Sequence, residues 1–226
     1  MAWRHVVMVD YIKRVKENDD IPEHMREVVC DEMYHGVEVS NLAILIAKEL
    51  GEGEKFCDDL SVAGVLHDVG KLKLTRYLFS EDDDTLVIEQ MKYVRMHSEY
   101  SYRILKAAGY NDDISKAVYY HHENFNGSGY PDKLRGRDIP WMSRILRACD
   151  VFAALTSNRS YRKAFDVESA VEIMIDEVAD YDMSVFLAFQ RILHNGKFKG
   201  IEQLSHTITP LQMKHLGMFE REALLG

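Results

Sequence analysis

The chain has 226 residues, 46% hydrophobic and 29% charged, and a formal net charge of −9 at pH 7. That length allows one sizeable domain with its own core and no more than two, and the composition excludes disordered and fibrous classes. The acidic balance argues against a generic nucleic-acid surface, which needs clustered Lys and Arg, while leaving room for a small anionic substrate if a few cations gather at its site.

Helical periodicity runs through almost the whole chain. Residues 1–23 read as a short N-terminal helical flank, 24–197 as the main domain and 198–226 as a C-terminal helical flank. From Pro22 to Leu50 the apolar positions Val28, Val29, Met33, Val37, Leu42, Leu45 and Ile46 recur at helical spacing, and Gly51 is a stop signal. One long helix or two stacked ones are expected there. Asp58 to Val69 reads as a helix ending at Gly70, and Thr75 to Asp84, with the acidic run Asp82 to Asp84, as a solvated loop. Ser98 to Ala108 forms the next helix, up to Gly109, and Asp112 is a plausible cap for a helix carrying Tyr119 to His122. After the irregular stretch Asn124 to Ile139, Pro140 sits where a first-turn proline belongs, ahead of Met142 to Thr156. Asp166 can cap Val167 to Ala179, and Asn195 to Gly200 is irregular. In the C-terminal flank Leu211, Met213, Leu216, Met218 and Phe219 give an amphipathic helix, suited to packing on its own core or to docking a second copy or a protein partner. Nothing alternates with period two for long enough to make a strand, so the fold class is all-α.

The longest apolar run, Leu42 to Ala47, is too short to cross a bilayer, and the N-terminus has no signal-peptide pattern; a cytoplasmic protein is expected. Cys30, Cys57 and Cys149 are odd in number and lack CxxC spacing, which argues against a disulfide framework or a zinc knuckle and makes Cys149 buried filler.

The chemistry concentrates in five histidines and two aspartates: His35, the doublet His67-Asp68, His97, the doublet His121-His122, and Asp150. Imidazole and carboxylate are the donors that a cluster of divalent ions needs, with carboxylates able to bridge neighbouring ions. Asp31 and His35, four apart, share a helix face, and His67 and Lys71 have the same spacing. Adjacent residues on a helix point about 100° apart, so His67-Asp68 can serve one cluster only if the helix is ending there, as Gly70 suggests. His5, His24, His194, His206 and His215 stand alone and read as ordinary core or surface residues. Gly127-Ser128-Gly129 is not a phosphate-binding P-loop, because no Gly-Lys-Ser/Thr follows it.

At these residues the chain resembles the HD-GYP phosphohydrolases, a branch of the HD superfamily. The His-Asp doublet lies in His67-Asp68-Val69-Gly70-Lys71 and the Gly-Tyr-Pro triplet is Gly129-Tyr130-Pro131; the likeness covers roughly Met25 to Leu193. It is most specific from His121-His122-Glu123 through Gly127-Ser128-Gly129-Tyr130-Pro131 and the Ile145 to Asp150 stretch to Ala154 through Arg162. The resemblance implies an all-helical bundle with two or three divalent ions, often iron and alternatively manganese, that hydrolyses the bacterial second messenger cyclic di-GMP to pGpG or GMP. Carried over by position, the metal ligands are His35, His67, Asp68, His97, His121, His122 and Asp150, with Asp68 bridging two ions; Asp31 stands where some members have a further Glu ligand. A water or hydroxide bridging two ions would attack phosphorus. Lys71 would neutralise a phosphate oxygen, and Gly129, Tyr130, Pro131, Arg159 and Arg162 would contact substrate.

The chain also departs from the pattern. Ala153 takes the place of a common Asp and so removes an expected partner of Lys71; Asn126, Ser98 and Thr75 replace an Asp and two Pro. Two rivals follow: a protein of the same fold that senses a ligand or binds a partner without useful turnover, and a phosphohydrolase for another cyclic dinucleotide or a nucleotide monophosphate.

Overall fold

The structure, a computed structural model, describes residues 13–78, 95–158, 163–196 and 208–225. Among them the regular elements are all helical: α1 Glu23–Glu49, α2 Glu54–Leu66, α3 Lys71–Leu78, α4 His97–Ala107, α5 Asp112–Tyr119, α6 Trp141–Thr156, α7 Val167–Asp176, α8 Met183–His194 and α9 Pro210–Leu225, with short 3₁₀ turns at Gly136–Asp138 and Val178–Asp180. No described helix is long and apolar enough to cross a membrane.

Local signals set several boundaries. The long amphipathic stretch forms a single helix, α1, which ends at Glu49 with Gly51 just beyond at φ +83°; Gly109 at φ +80° follows α4 in the same way. Pro140 precedes the first turn of α6, and the Asp166 carboxylate accepts from Ser169 N at 2.8 Å to cap α7.

Other expectations are corrected. The cap of α5 is Asn111, whose Oδ1 accepts from Ile114 N at 2.8 Å, and α5 stops at Tyr119, leaving His121-His122 in the following turn. Thr75 to Leu78 belong to α3, not to a loop, while Asp82 to Asp84 lie outside the described residues. Helix α2 begins at Glu54, earlier than expected, and α7 ends at Asp176, earlier than Ala179. Helix α8 was not anticipated; Asp182 starts it by accepting from Ser184 N, and Val185, Phe186, Phe189 and Ile192 are buried along it.

One hydrophobic core joins these elements. Helix α1 runs through the middle, packed against α2, α3, α6, α8 and α9. Phe152 and Phe189, both fully buried, meet edge to face at 4.9 Å between centroids, and burying each ring contributes about 1.5–3 kcal/mol. The core takes in Val15 and Ile21 from the N-terminal flank and Leu216, Phe219 and Ala223 from the C-terminal flank. The apolar face of α9 is therefore spent on its own chain, against α1, α2 and α3. Gln212, wholly buried, ties it down through Ser40 Oγ at 2.8 Å and Asn41 Oδ1 at 3.0 Å. Cys30, Cys57 and Cys149 are buried free thiols, in keeping with a filler role.

The approach of α1 to α2 decides where the chemistry sits. A Cβ on Gly36 would stand 2.3 Å from Val65 O, and one on Gly64 would stand 2.7 Å from Ser40 Cα. Only residues without a side chain permit this crossing, which brings the middle of α1 against the C-terminal turn of α2.

Candidate metal centre

His35 projects from α1 at that crossing, and His67 caps α2 one residue before Asp68. Because α2 ends at Leu66, the His-Asp doublet lies in a turn and both side chains enter the same space. His97 opens α4, His121 and His122 follow α5, and Asp150 comes from α6. All are buried except His122, which is partly exposed.

These seven residues gather into two groups of donors joined at Asp68. One is His35, His67, Asp68 and Asp150; the other is Asp68, His97, His121 and His122; within each, the donor atoms lie within 4.8 Å of one another. In the first, His35 Nε2 is 3.0 Å from Asp150 Oδ1 and 3.7 Å from Asp68 Oδ2, and His67 Nε2 is 3.0 Å from Asp68 Oδ2. In the second, His97 Nε2 lies 3.1 Å from Asp68 Oδ1, 3.2 Å from His121 Nε2 and 3.0 Å from His122 Nε2.

The arrangement fits divalent ions better than it fits hydrogen bonding. His67 Nδ1 faces Gly64 O at 2.9 Å and His121 Nδ1 faces Val118 O at 2.5 Å, so each Nδ1–H donates to a carbonyl and each Nε2 is turned into the cluster, where it can bind an ion once it carries no proton. The Nε2 atoms of His97, His121 and His122 also converge on one another. Ligand nitrogens at about 2.1 Å from a shared ion, at right angles, stand about 3 Å apart, which is the spacing found. His67 Nε2 and Asp68 Oδ1 are buried without a hydrogen bond, although charged neighbours are close. In a core this dry, such orphaned atoms are costly unless a cation satisfies them.

Electrostatics divide the two groups. Burial disfavours a charged His67, but the Asp68 and Asp150 carboxylates outweigh it and push the imidazole up to about 10. At His121 burial, reinforced by His67 and His97, lowers the value to about 3. Burial opposes ionisation of Asp68 and Asp150 too, yet both are held well below the usual carboxylate range, Asp68 by His67, Lys71 and His97, and Asp150 by the hydrogen bond with His35 and the nearby imidazoles of His67 and His122.

Lys71, the first residue of α3, places Nζ 2.6 Å from Asp68 Oδ2 and 3.1 Å from Glu32 Oε2. Tyr130 stacks on His122 with centroids 4.7 Å apart and planes at 26°. Its loop is held close by Gly129, where a Cβ would stand 2.3 Å from Asn124 N and 2.4 Å from His122 O. Pro131 is half-buried beside it. The departures in this loop are accommodated: Asn126 donates to Asp180 Oδ1 at 2.6 Å and accepts from Ser128 N at 2.9 Å.

Asp31 is not brought into the cluster. Its side chain is exposed, and the neighbouring Glu32 is buried and faces Lys71 instead. Spacings of three and four residues both return to one helix face, so His35 alone does not decide between them; packing against Lys71 does. Arg159 and Arg162 lie outside the described residues. Sequence reasoning also missed Arg95, whose guanidinium sits 5.3 Å from the Tyr130 ring centroid at the edge of the site. Its place two residues before His97 was the available signal. Of the solitary histidines, His215 shares a hydrogen bond between its Nδ1 and Tyr110 OH at 2.6 Å, a structural contact far along the chain from the cluster residues.

Comparison with known proteins agrees with this architecture. A family model described as an HD domain matches residues 14–185. A cyclic di-GMP phosphodiesterase of Pseudomonas aeruginosa is 30% identical over 69% of this chain and 37% of its own length. The cyclic di-GMP phosphodiesterase response regulator RpfG of Xanthomonas campestris is 33% identical over 59% of this chain and 35% of its own length, and a 3'3'-cGAMP-specific phosphodiesterase of Vibrio cholerae is 29% identical over 71% and 35%. The chain thus spans little more than a third of the length of the curated relatives it matches. In fold it is similar to the crystal structure of a cyclic GMP-AMP specific phosphodiesterase of V. cholerae (TM-score 0.57, 15% identity, 97% of this chain and 60% of that one). An HDG"Y"P protein of Bdellovibrio bacteriovorus gives a TM-score of 0.58 at 20% identity, over 84% of this chain and 62% of that one. With the helical bundle and the His67-Asp68 turn in place, the match across 14–185 assigns the chain: it belongs to the HD domain family.

Proposed function

We propose that this chain hydrolyses a phosphodiester bond of a cyclic dinucleotide, cyclic di-GMP first among them, using two divalent ions held by His35, His67, Asp68, His97, His121, His122 and Asp150. The observation that carries the reading is the pair of donor groups joined at Asp68 with Lys71 and Tyr130 beside it. Divalent ions bound there would supply Lewis acidity and make water acidic enough to act as a nucleophile near neutral pH. The chain's own residues do the rest. Nδ1 contacts to Gly64 O and Val118 O orient His67 and His121, and the buried surroundings exclude bulk water. Lys71 presents a fixed positive charge for a non-bridging phosphate oxygen, and Tyr130, with Arg95 over its ring, borders the substrate. In the reaction a water oxygen bonds to phosphorus, the bond from phosphorus to a ribose 3′ oxygen breaks, and the proton ends on that oxygen.

Iron is the proposed resident metal, with manganese able to replace it, and a cytoplasmic bacterial location is part of the proposal. Arg159 and Arg162 are proposed as further phosphate or guanine contacts. The names of the relatives support cyclic di-GMP and 3'3'-cGAMP alike as substrates to test.

The experiment is anaerobic purification, loading with Fe²⁺ or Mn²⁺, and product analysis against cyclic di-GMP, 3'3'-cGAMP and cyclic di-AMP. Turnover of cyclic di-GMP to pGpG or GMP is expected, with both turnover and metal lost in Asp68→Ala. Normal turnover in His67→Ala/Asp68→Ala protein would overturn the assignment. Tight binding of the dinucleotide without turnover would replace it by a ligand-sensing role.

A further inference from the structure

Arg147 lies on α6 three residues before Asp150, and its side chain is 17% exposed. The loop that follows His122 holds it in place. Asn124, only 9% exposed, donates through Nδ2 to Ser128 Oγ at 2.8 Å and to Asp180 Oδ2 at 2.9 Å, so both of its amide protons are in use and Oδ1 faces the other way. There Oδ1 accepts from Arg147 Nε at 2.7 Å. Asp180 Oδ2 stands 4.0 Å from Arg147 Nη2, beyond hydrogen-bond length, and the Asp180 oxygens already accept from Asn124 and Asn126. Among the described residues, Arg147 Nη1 and Nη2 therefore have no hydrogen-bond partner, although the contact at Nε fixes the plane of the guanidinium.

An arginine that served only to fasten this loop would turn its two-nitrogen edge to a carboxylate. Here the network holds the inner nitrogen and leaves that edge open, in the geometry that grips two oxygens of a phosphate. Its place is beside the candidate centre. Asn124 is two residues from His122, and the positive charges of Arg147 and Arg95 both reach the Tyr130 hydroxyl. In a chain of net charge −9, two guanidinium groups around one tyrosine of the site make a local field suited to an anion.

Resting on the cyclic-dinucleotide reading above, we propose that Arg147 is a substrate-binding residue whose free Nη1–Nη2 edge grips the second phosphate of the substrate, the one not being hydrolysed. A cyclic dinucleotide carries two phosphodiesters, both ionised at neutral pH, and only one can lie against the metal donors and Lys71. The other needs a cation of its own. Arg147 supplies it from α6, already oriented by Asn124, so little side-chain freedom is lost when the ligand arrives. Asn124 and Asp180 are positioning residues in this arrangement: they act on the substrate only through Arg147.

The test compares Mn²⁺-loaded wild type, Arg147→Ala and Arg147→Lys on cyclic di-GMP and on bis(p-nitrophenyl) phosphate, a phosphodiester with a single phosphate. Arg147→Ala should raise KM for cyclic di-GMP about ten- to a hundredfold with kcat little changed, as expected for the loss of charge-assisted hydrogen bonds. On bis(p-nitrophenyl) phosphate, which has no second phosphate to grip, the rise should be several times smaller, and metal content by mass spectrometry should match the wild type. Arg147→Lys keeps the charge without the fork and should recover only part of the affinity. Affinity for cyclic di-AMP, measured as substrate or competitor, should fall by the same factor as that for cyclic di-GMP, because the two share their phosphates and not their bases. Unchanged KM would overturn the proposal. So would an equal loss on both phosphodiesters, which would reduce Arg147 to a support for the loop, or a loss confined to cyclic di-GMP, which would mark a guanine contact. A wild type without turnover would sink the enzymatic reading on its own; equilibrium binding of cyclic di-GMP then decides, and equal Kd in wild type and Arg147→Ala, or no binding to either, would overturn the role of Arg147.

Discussion

Gly70→Ala offers a sharp test of how the turn after α2 assembles half of the centre. A Cβ there would lie 2.3 Å from His97 O and 2.5 Å from Ser101 N, both backbone atoms at the start of α4, so no rotamer change relieves the clash. Ordinary contact begins at 3.4 Å, so the two backbones must part by about 1 Å. The bond from Gly70 N to Ser101 Oγ, 2.8 Å in the native chain, would be lost as well. Overpacking of this kind costs about 1–3 kcal/mol and the hydrogen bond about 1 kcal/mol, so a loss of about 2–4 kcal/mol is expected. For a chain of this size that lowers Tm by about 4–16 °C. The effect on metal is more specific. His97 Nε2 stands 3.1 Å from Asp68 Oδ1, and ligand distances tolerate only about 0.2 Å of error, so a shift of about 1 Å should disable the group formed by Asp68, His97, His121 and His122. The other group draws on α1, the α2 turn and α6, and should survive. Mass-spectrometric metal analysis should therefore show one ion fewer per chain, with helical circular dichroism retained. Ser101→Ala, which removes only the hydrogen bond, should cost about 1 kcal/mol and keep the full complement. A Gly70→Ala protein with full metal content and an unchanged Tm would refute the reasoning.

Four further outcomes follow from the structure. His67 in the metal-free chain stays protonated up to about pH 10, so Mn²⁺ must displace a proton there, and affinity for the first group should rise with pH through the neutral and mildly alkaline range; calorimetry at pH 8 in buffers of different ionisation heat should count that proton, and zero net release would contradict the assignment. The sign for folding is opposite: because the folded value lies above the unfolded one of about 6.5, the metal-free chain should lose stability as pH rises from about 6.5 to about 10. Gln212→Ala removes the buried anchor of α9 and should cost about 1–3 kcal/mol in urea unfolding while leaving metal content unchanged; loss of metal instead would tie α9 directly to the centre. Arg95→Ala should raise KM for a cyclic dinucleotide severalfold without changing metal content, and Arg95→Lys should restore part of it; equal KM in all three proteins would remove Arg95 from the substrate edge.

What could be read from the sequence was local or strongly patterned. Gly51 and Gly109 stop their helices with the positive φ that their place implied, and the seven His and Asp donors come together as two groups around Asp68. The doublets were informative because a helix cannot aim two adjacent side chains at one point, so Gly70 foretold a helix end near His67. What was missed depends on neighbours distant in sequence. Asp31 and Glu32 are both within a turn of His35, and the choice between them is made by Lys71 arriving from α3. Arg95 gains its meaning only from Tyr130 across the site. Asn111 and Asp112 are both good capping types, and the backbone of Ile114 decides for Asn111.

The donors of one group come from distant points of the chain, His35 and Asp150 being 115 residues apart. An ion that joins them works as a removable cross-link, with little to hold it in the unfolded chain, where such donors rarely meet. By mass action, metal then stabilises the native state by about 2.7 kcal/mol at a free concentration a hundred times its Kd. Metal supply would thus govern how much of the protein survives as well as how fast it works. Starvation for metal would lower its abundance, since a chain opened more often is cleared more often.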